Sequence, residues 1–384
     1  MKNKKPLLLF ADVEAGFGHL APMSAIVSEF TRKYNDKVEI LHKKVFTETD
    51  NPHILKMGKM QSKHPKRLGR DYVFRLGESI SYALPSWFML SILDRVFGKG
   101  RTEFIKELGR LKPEAVVSTY YLPTHLTVQA NKKGLTNALT ISYSPDTYVY
   151  PAWDRRVDMM LVNNERAKKQ SIRRGFKEKN VKQVGFVYKR GAFTNASKLD
   201  ARKRLGISDD EYVILITTGA YGCNKTVKLV EKILAKNISV NLQIVCGKDQ
   251  KTFDKLTAIK NSGHDNLHVY QNLESLAPYM CACDLIIGKA GANTCNEARL
   301  YQKPMILFFE QSRIETEQAK YLVEKNIAIR QSNINKIISI ISRDTAHRGD
   351  LRARLTGLDQ QVIDGATQVA DRIFDMLKAK GLVE

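Results

Sequence analysis

The stretch Asp284-Leu-Ile-Ile-Gly-Lys289-Ala-Gly291-Ala-Asn293-Thr294-Cys-Asn-Glu297-Ala decides the fold. It reads as a short buried strand, a turn of small residues and the start of a helix, the βα step of a parallel sheet. Amides from Gly291 to Thr294, with the Thr294 hydroxyl, are suited to hold a pyrophosphate, because a helix start offers free N–H groups and a positive dipole end. Glu297, one turn later, can accept hydrogen bonds from both hydroxyls of a ribose. The plainer reading makes Glu297 a first-turn acid that complements the helix dipole.

The same step recurs outward from this stretch. Gly219-Ala-Tyr-Gly222 follows the strand pattern Tyr212–Thr217 and precedes a helix over Asn224–Lys236, so it suits phosphate contact or a helix entry that needs glycine for shape alone. Cys246-Gly247-Lys248 closes the strand Leu242–Cys246 at the same sheet edge. Further strands are expected at Leu267–Tyr270 and Met305–Phe309. An earlier series runs Leu7–Asp12, Val38–Leu41, Ala115–Ser118, Ala138–Ser142, Met159–Val162 and Val181–Val184. The rhythm breaks near Gly185–Lys198, and the tail carries two helical patterns, about Asn333–Ser342 and Ala366–Lys380. The expected class is α/β with two Rossmann-like domains facing a central cleft: residues 1–185, residues 186–364, and a terminal helix in 365–384 packing back on the first.

The first strand ends in Asp12-Val-Glu-Ala-Gly-Phe-Gly18-His19, with a helix expected from about Ala21-Pro22. Gly18 lets backbone approach a ligand, and His19 would project at the carboxyl end of strand one, where open α/β sheets bind ligands. An imidazole titrating near neutrality can take a proton from an alcohol. A tight turn with a surface histidine explains the same residues. A dinucleotide site fits less well, because Ala21 stands where the third glycine of G-x-G-x-x-G belongs and Glu39 falls too early in its strand to be the ribose acid.

The 384 residues carry 62 Lys and Arg against 40 Asp and Glu, a net charge of +22 that calls for an anionic partner. No apolar run reaches the roughly 20 residues that span a bilayer, and the basic start leads straight into a strand, so secretion is not expected. The five cysteines (223, 246, 281, 283 and 295) form no paired metal knuckles and suit reduced thiols in a cytoplasm. Nine Lys or Arg lie between Lys43 and Arg75 against three acids, and the aromatic, aliphatic segment Trp87–Leu93 follows. Basic charge beside an apolar segment is what attachment to an anionic membrane surface needs, at about 1 kcal/mol per nearby cation. The alternative packs Trp87–Phe97 as a core helix beside a solvated basic loop. Without an RNA- or DNA-binding motif, nucleic acid is not the expected partner.

With these residues assembled, the chain resembles glycosyltransferase family 28, and within it the monogalactosyldiacylglycerol synthases and processive diacylglycerol glucosyltransferases. Leu276–Gly291 with Thr294 and Glu297 is similar to the family's donor segment, as is Val245-Cys-Gly-Lys248. Pro145-Asp146-Thr-Tyr-Val-Tyr150-Pro-Ala-Trp153 is similar to the acceptor-side motif. The resemblance implies a GT-B fold, a UDP-sugar donor, a membrane-lipid hydroxyl as acceptor, and peripheral attachment to the cytosolic face of a membrane. It makes His19 and Asp146 the candidate catalytic pair, Glu297 the ribose ligand, and Glu315 with Gln318 the sugar-recognition residues. Three departures leave the sugar open. Asn293 replaces a glycine, Tyr150 replaces a histidine, and Phe308–Ala319 lacks a Pro-Gly before its acidic and amide residues. The turn Gly18-His19-Leu-Ala-Pro22 also suits the lipid II-forming N-acetylglucosaminyltransferase of the same family. No Asp-x-Asp motif is present, and no cofactor or metal is expected; the leaving charge would fall to amides at Gly219–Gly222 and Gly291–Thr294.

Overall fold

The computed structural model describes residues 5–14, 17–68, 76–77, 80–188, 196–219, 223–360 and 362–384. The chain divides into two compact units, one of Met1–Lys189 with Ile363–Glu384, the other of Arg190–Val362. The first contains β1 (Leu7–Asp12), α1 (Phe17–Tyr34), β2 (Glu39–Lys44), α2 (Pro52–Leu68), α3 (Ser86–Leu111), β3 (Ala115–Ser118), α4 (Tyr121–Lys132), β4 (Leu139–Ser144), β5 (Met159–Val162), α5 (Glu165–Arg173) and β6 (Val181–Gln183). Its six strands are all parallel, in the order β2-β1-β3-β4-β5-β6. Side chains alternate across β1: Leu8 and Phe10 pack with α1 and the terminal helix Gly365–Ala379, while Leu9 and Ala11 pack with α3 and α4. Both faces are therefore covered, which is why these strands read as continuous apolar runs.

The second unit follows the same plan. It contains α6 (Lys198–Leu205), β7 (Val213–Thr217), α7 (Asn224–Ala235), β8 (Asn241–Val245), α8 (Gln250–Asn261), β9 (Leu267–Tyr270), α9 (Ala277–Ala282), β10 (Leu285–Lys289), α10 (Ala292–Leu300), β11 (Met305–Phe309), α11 (Arg313–Glu324), β12 (Ile329–Arg330) and α12 (Ile334–Ala346). The order is β12-β11-β10-β7-β8-β9, again all parallel. β12 was not expected from the sequence: two residues, one of them Arg, carry no readable alternation. Cys246, Cys281, Cys283 and Cys295 are core residues of this unit.

Two expectations are corrected in the first unit. α1 starts at Phe17, not near Ala21, so Gly18 and His19 occupy its first turn and Pro22 lies inside it. Proline fits helical φ, and its cost is a missing N–H four residues after the Gly18 carbonyl. α3 is amphipathic, burying Ser86, Leu90, Leu93, Phe97, Gly100, Phe104, Ile105 and Leu108 at helical spacing and kinking at Gly98, where φ is 36°. The segment Trp87–Leu93 is thus split. Leu90 and Leu93 belong to the core, whereas Trp87 is 66% and Phe88 41% exposed.

The terminal helix returns to α1. Tyr34 stacks on Phe374 with ring centroids 4.1 Å apart, the Tyr34 hydroxyl donates to Asp371 at 2.6 Å, and the Thr367 hydroxyl donates to Glu29 at 3.0 Å. Just before it, Phe186 bridges to Asp364, and a Cβ on Gly185 would lie 2.3 Å from the Ile363 carbonyl oxygen. Only glycine permits that approach. Gly185→Ala should therefore cost about 1–3 kcal/mol, measured as a lowered urea midpoint with an unchanged m-value.

Candidate active site

Both sheets reverse their direction of growth at one place, between β1 and β3 in the first and between β7 and β10 in the second. Ligands of open parallel sheets bind outside the carboxyl ends of strands at such reversals. His19 lies in the first turn after β1, and Thr119 follows β3. The imidazole Nδ1 donates to the Thr119 carbonyl at 2.8 Å, and the Thr119 hydroxyl donates back to the His19 carbonyl at 2.8 Å. A carbonyl only accepts, so Nδ1 carries the proton and Nε2 keeps a lone pair. Burial lowers the His19 pKa to about 4, against the smaller opposing effect of the Thr119 carbonyl. The ring is a neutral base at physiological pH. Tyr120 holds its orientation edge-on, with ring centroids 5.0 Å apart.

Asp146 is half-buried two residues past β4. Two strand spacings separate the ends of β1 and β4, about 10 Å, so Asp146 belongs to the same sheet edge as His19. The buried hydroxyls of Ser144 and Thr147 beside it have no hydrogen-bond partner in the structure. A buried ion network anchors the end of this loop. His125 binds Asp154 through Nδ1 at 2.7 Å and Asp94 through Nε2 at 3.1 Å; Arg156 pairs with Asp154 and Arg101 with Asp94. Burial pulls the His125 pKa down, but hydrogen bonds and charges from Asp154 and Asp94 outweigh it and raise it. The imidazolium ties the loop of Asp146–Trp153 to α3 and α4.

In the second unit the reversal brings Gly219 and Lys289 together. Gly219 has φ of 70°, and a Cβ there would lie 2.8 Å from Lys289 Cε, so the lysine stem occupies the space a side chain would fill. The Lys289 ammonium pairs with Glu315 Oε1 at 2.5 Å, and Glu315 Oε2 accepts from the Gln311 amide at 2.7 Å. Gly291 is the N-cap of α10 and offers no side-chain cap, so amides at Ala292–Thr294 point out of the helix end. Asn293 and Thr294 are half-buried there. Glu297 is half-buried, has no hydrogen-bond or ionic partner among the described residues, and burial pushes its pKa up to about 7. Gln318 is 1% exposed, and neither atom of its amide has a partner. A buried amide left unpaired costs about 1–3 kcal/mol.

The remaining candidates are placed less evenly. Gly247 turns the chain with φ of 57° after β8 and Lys248 is exposed. The Cys246 thiol faces the core with its pKa pushed up to about 12 by burial, and its backbone N–H already donates to the Tyr270 carbonyl at 2.9 Å, so this residue is structural. Gly222 lies outside the described residues. In the basic segment, residues 69–75 do likewise, while Lys43 pairs with Glu107 and Lys44 with Glu14. Glu39 opens β2 beside Leu7, at the amino end of the sheet and away from the ligand edge. Among the described residues no group of three or more His, Cys, Asp or Glu is placed to hold a metal ion. Thr119, Ser144, Thr147 and the His125 network escaped the sequence reading, since single hydroxyls and a lone histidine carry no spacing signal.

Residues 213–354 match the model of the glycosyltransferase family 28 C-terminal domain, and residues 19–187 match that of monogalactosyldiacylglycerol (MGDG) synthase. The chain is 25% identical over 367 residues to a probable chloroplastic MGDG synthase of Nicotiana tabacum, covering 90% of this chain but only 65% of the tobacco protein. It is 24% identical over 271 residues to a processive diacylglycerol beta-glucosyltransferase of Bacillus subtilis, covering 67% of this chain and 70% of that one. Among solved structures, Acinetobacter baumannii MurG superposes with a TM-score of 0.59 at 15% identity, over 97% of this chain and 100% of MurG. Anabaena HepE in complex with UDP-glucose superposes with a TM-score of 0.55 at 12% identity, over 97% of this chain and 100% of HepE. The fold is of the GT-B type.

Glu297 gives a direct readout of the β7–β10 edge. Its ionised form is penalised in the folded protein, a cost absent below about pH 4.5 and complete above about pH 7. Glu297→Gln should therefore raise the melting temperature at pH 8 by a few degrees, on the order of 1–2 kcal/mol after allowing for partial exposure. At pH 5 the gain should be small.

Proposed function

We propose that the chain is a member of glycosyltransferase family 28 and that it moves a hexose from a UDP-sugar to the hydroxyl of a membrane lipid such as diacylglycerol, with inversion at the anomeric carbon. The observation that carries the donor side is Glu297: a partnerless, desolvated carboxylate one turn into an uncapped helix matches a ligand with a vicinal diol at one end and phosphates at the other. The lipid acceptor rests on the kinship with the tobacco and Bacillus enzymes.

The acceptor chemistry belongs to His19. Its Nε2 lone pair takes the proton of the lipid hydroxyl as that oxygen bonds to the anomeric carbon, while the bond to UDP breaks and its electron pair passes to the phosphate oxygen. Asp146 orients the acceptor, helped by the Ser144 and Thr147 hydroxyls. Amides at the start of α10 and the Lys289 ammonium take up the leaving charge, so the reaction needs no metal. Gln318 recognises sugar hydroxyls. No described helix is long and apolar enough to cross a membrane. We place the contact with the cytosolic membrane face at the exposed Trp87 and Phe88 on α3 and the basic segment Lys43–Arg75, through interfacial burial and attraction to anionic headgroups.

Supplying radiolabelled UDP-glucose, UDP-galactose and UDP-N-acetylglucosamine separately, with EDTA and anionic liposomes containing diacylglycerol, tests the reading. One of the two hexoses should label lipid. Labelling from UDP-N-acetylglucosamine alone, on a lipid-linked cell-wall precursor, would instead favour the second family activity, and no labelling with any donor or acceptor would refute the enzyme. His19→Ala should lower kcat about 10²- to 10⁴-fold with little change in donor KM. UDP affinity should weaken as pH falls below about 7, because a proton on Glu297 competes with the ribose hydroxyls, and Glu297→Gln should remove that pH dependence.

A further inference from the structure

We propose that Lys289 is a parked cation: its ammonium rests on Glu315, and donor binding draws it onto the diphosphate, freeing the Glu315 carboxylate for the transferred sugar. The inference rests on the donor reading above and adds a two-state element to it.

The geometry separates a fixed stem from a movable head. Lys289 Cδ and Cε lie where a Cβ on Gly219 would be 2.9 and 2.8 Å away, and a Cβ on Gly291 would be 3.4 Å from Cε. The stem therefore runs between the two glycines that flank the β7–β10 reversal. A side chain at Gly219 would displace it, whereas a Cβ at Gly291 would only come into van der Waals contact with it. The ammonium beyond is a point charge with three donors and rotational freedom. Its partner is held more firmly. Glu315 sits in the first turn of α11, its amide donates to the Ser312 capping hydroxyl at 3.3 Å, and its second oxygen accepts from the Gln311 amide. When the head leaves, Glu315 stays.

In a mostly shielded ion pair of this kind the desolvation of both charges offsets much of their attraction, and a diphosphate carries more charge than one carboxylate. A phosphate drawn to the start of α10 lies within reach of a head whose stem touches Gly291. Once released, Glu315 Oε1 is an acceptor on the same face of α11 as Gln318, three residues along, whose amide is buried without partners. The two side chains then present a carboxylate and an amide together, a donor and acceptor set matched to adjacent sugar hydroxyls. As the anomeric C–O bond breaks, the ammonium already faces the oxygen that receives the electron pair. Glu315 thus serves as counter-ion in the resting protein and as sugar ligand in the loaded one.

Calorimetric titration of UDP and of uridine into the full chain tests this. Glu315→Gln keeps the shape and can still accept from the Gln311 amide, but it removes the charge that holds Lys289. It should bind UDP about two- to fivefold tighter and uridine unchanged, while sugar transfer slows at least about tenfold through loss of a charged hydrogen bond to the sugar. Lys289→Met, or Lys289→Gln should the first fail to fold, should weaken UDP at least about tenfold and leave uridine alone. UDP binding no tighter in Glu315→Gln than in wild type, or equal loss of UDP and uridine in the Lys289 variants, would overturn the parked cation. A wild-type chain that binds no UDP would instead defeat the donor reading.

Discussion

A parallel sheet that grows first to one side of its opening strand and then to the other must leave a gap between the two sets of crossover helices. That constraint operates twice in this chain, beside β1 and beside β7, and the groups with unsatisfied chemistry gather at those two places. Thr119 reaches from the end of β3 to hold His19 at the start of α1. Lys289 reaches from the end of β10 across Gly219 at the end of β7. Neither contact is local in sequence; each exists because the reversal makes the ends of distant strands adjacent.

Desolvation acts in opposite directions on the two key titratable groups and leaves both unusual. It holds His19 neutral, with a base nitrogen available, and it makes the Glu297 carboxylate costly to ionise. The protein meets that cost by burying a large parallel core beneath the β7–β10 edge. The His125 network is the contrast. There burial is matched by carboxylates on both ring nitrogens, so the charge is held rather than removed, and the result is an anchor between α3, α4 and the Asp146–Trp153 loop. One helix thereby joins two tasks: α3 buries Leu90, Leu93 and Phe97 to define the first core, carries Asp94 into the network, and leaves Trp87 and Phe88 outside.

The architecture was legible because a sheet covered on both faces writes its strands as plain apolar runs. Leu7–Asp12, Ala115–Ser118, Met159–Val162, Leu267–Tyr270 and Met305–Phe309 have the bounds the pattern assigns. β12 was not legible, being two residues with Arg330 half of them. The start of α1 misled because Pro22 reads as a first-turn residue, whereas the helix accommodates it one turn in. Trp87–Leu93 misled for a related reason: apolar residues on a helix that lies at a surface belong to two environments, and composition does not say which residue faces which.

The sequence alone determined the two series of βα units, the resemblance to glycosyltransferase family 28, and the residue types offered at each strand end, because strand and helix periodicity and the Asp284–Glu297 segment are local properties. Only the tertiary structure decided which of those residues are spoken for. Glu315 and Gln318 look equivalent in sequence, yet one is paired with Lys289 and the other is buried with an unpartnered amide. Cys246 sits inside a donor-like motif and points into the core. His19 has a defined tautomer only because the Thr119 carbonyl, 100 residues away in sequence, accepts its Nδ1 proton. Pairing and desolvation are set by neighbours that the strand order brings in, and no window of sequence contains them.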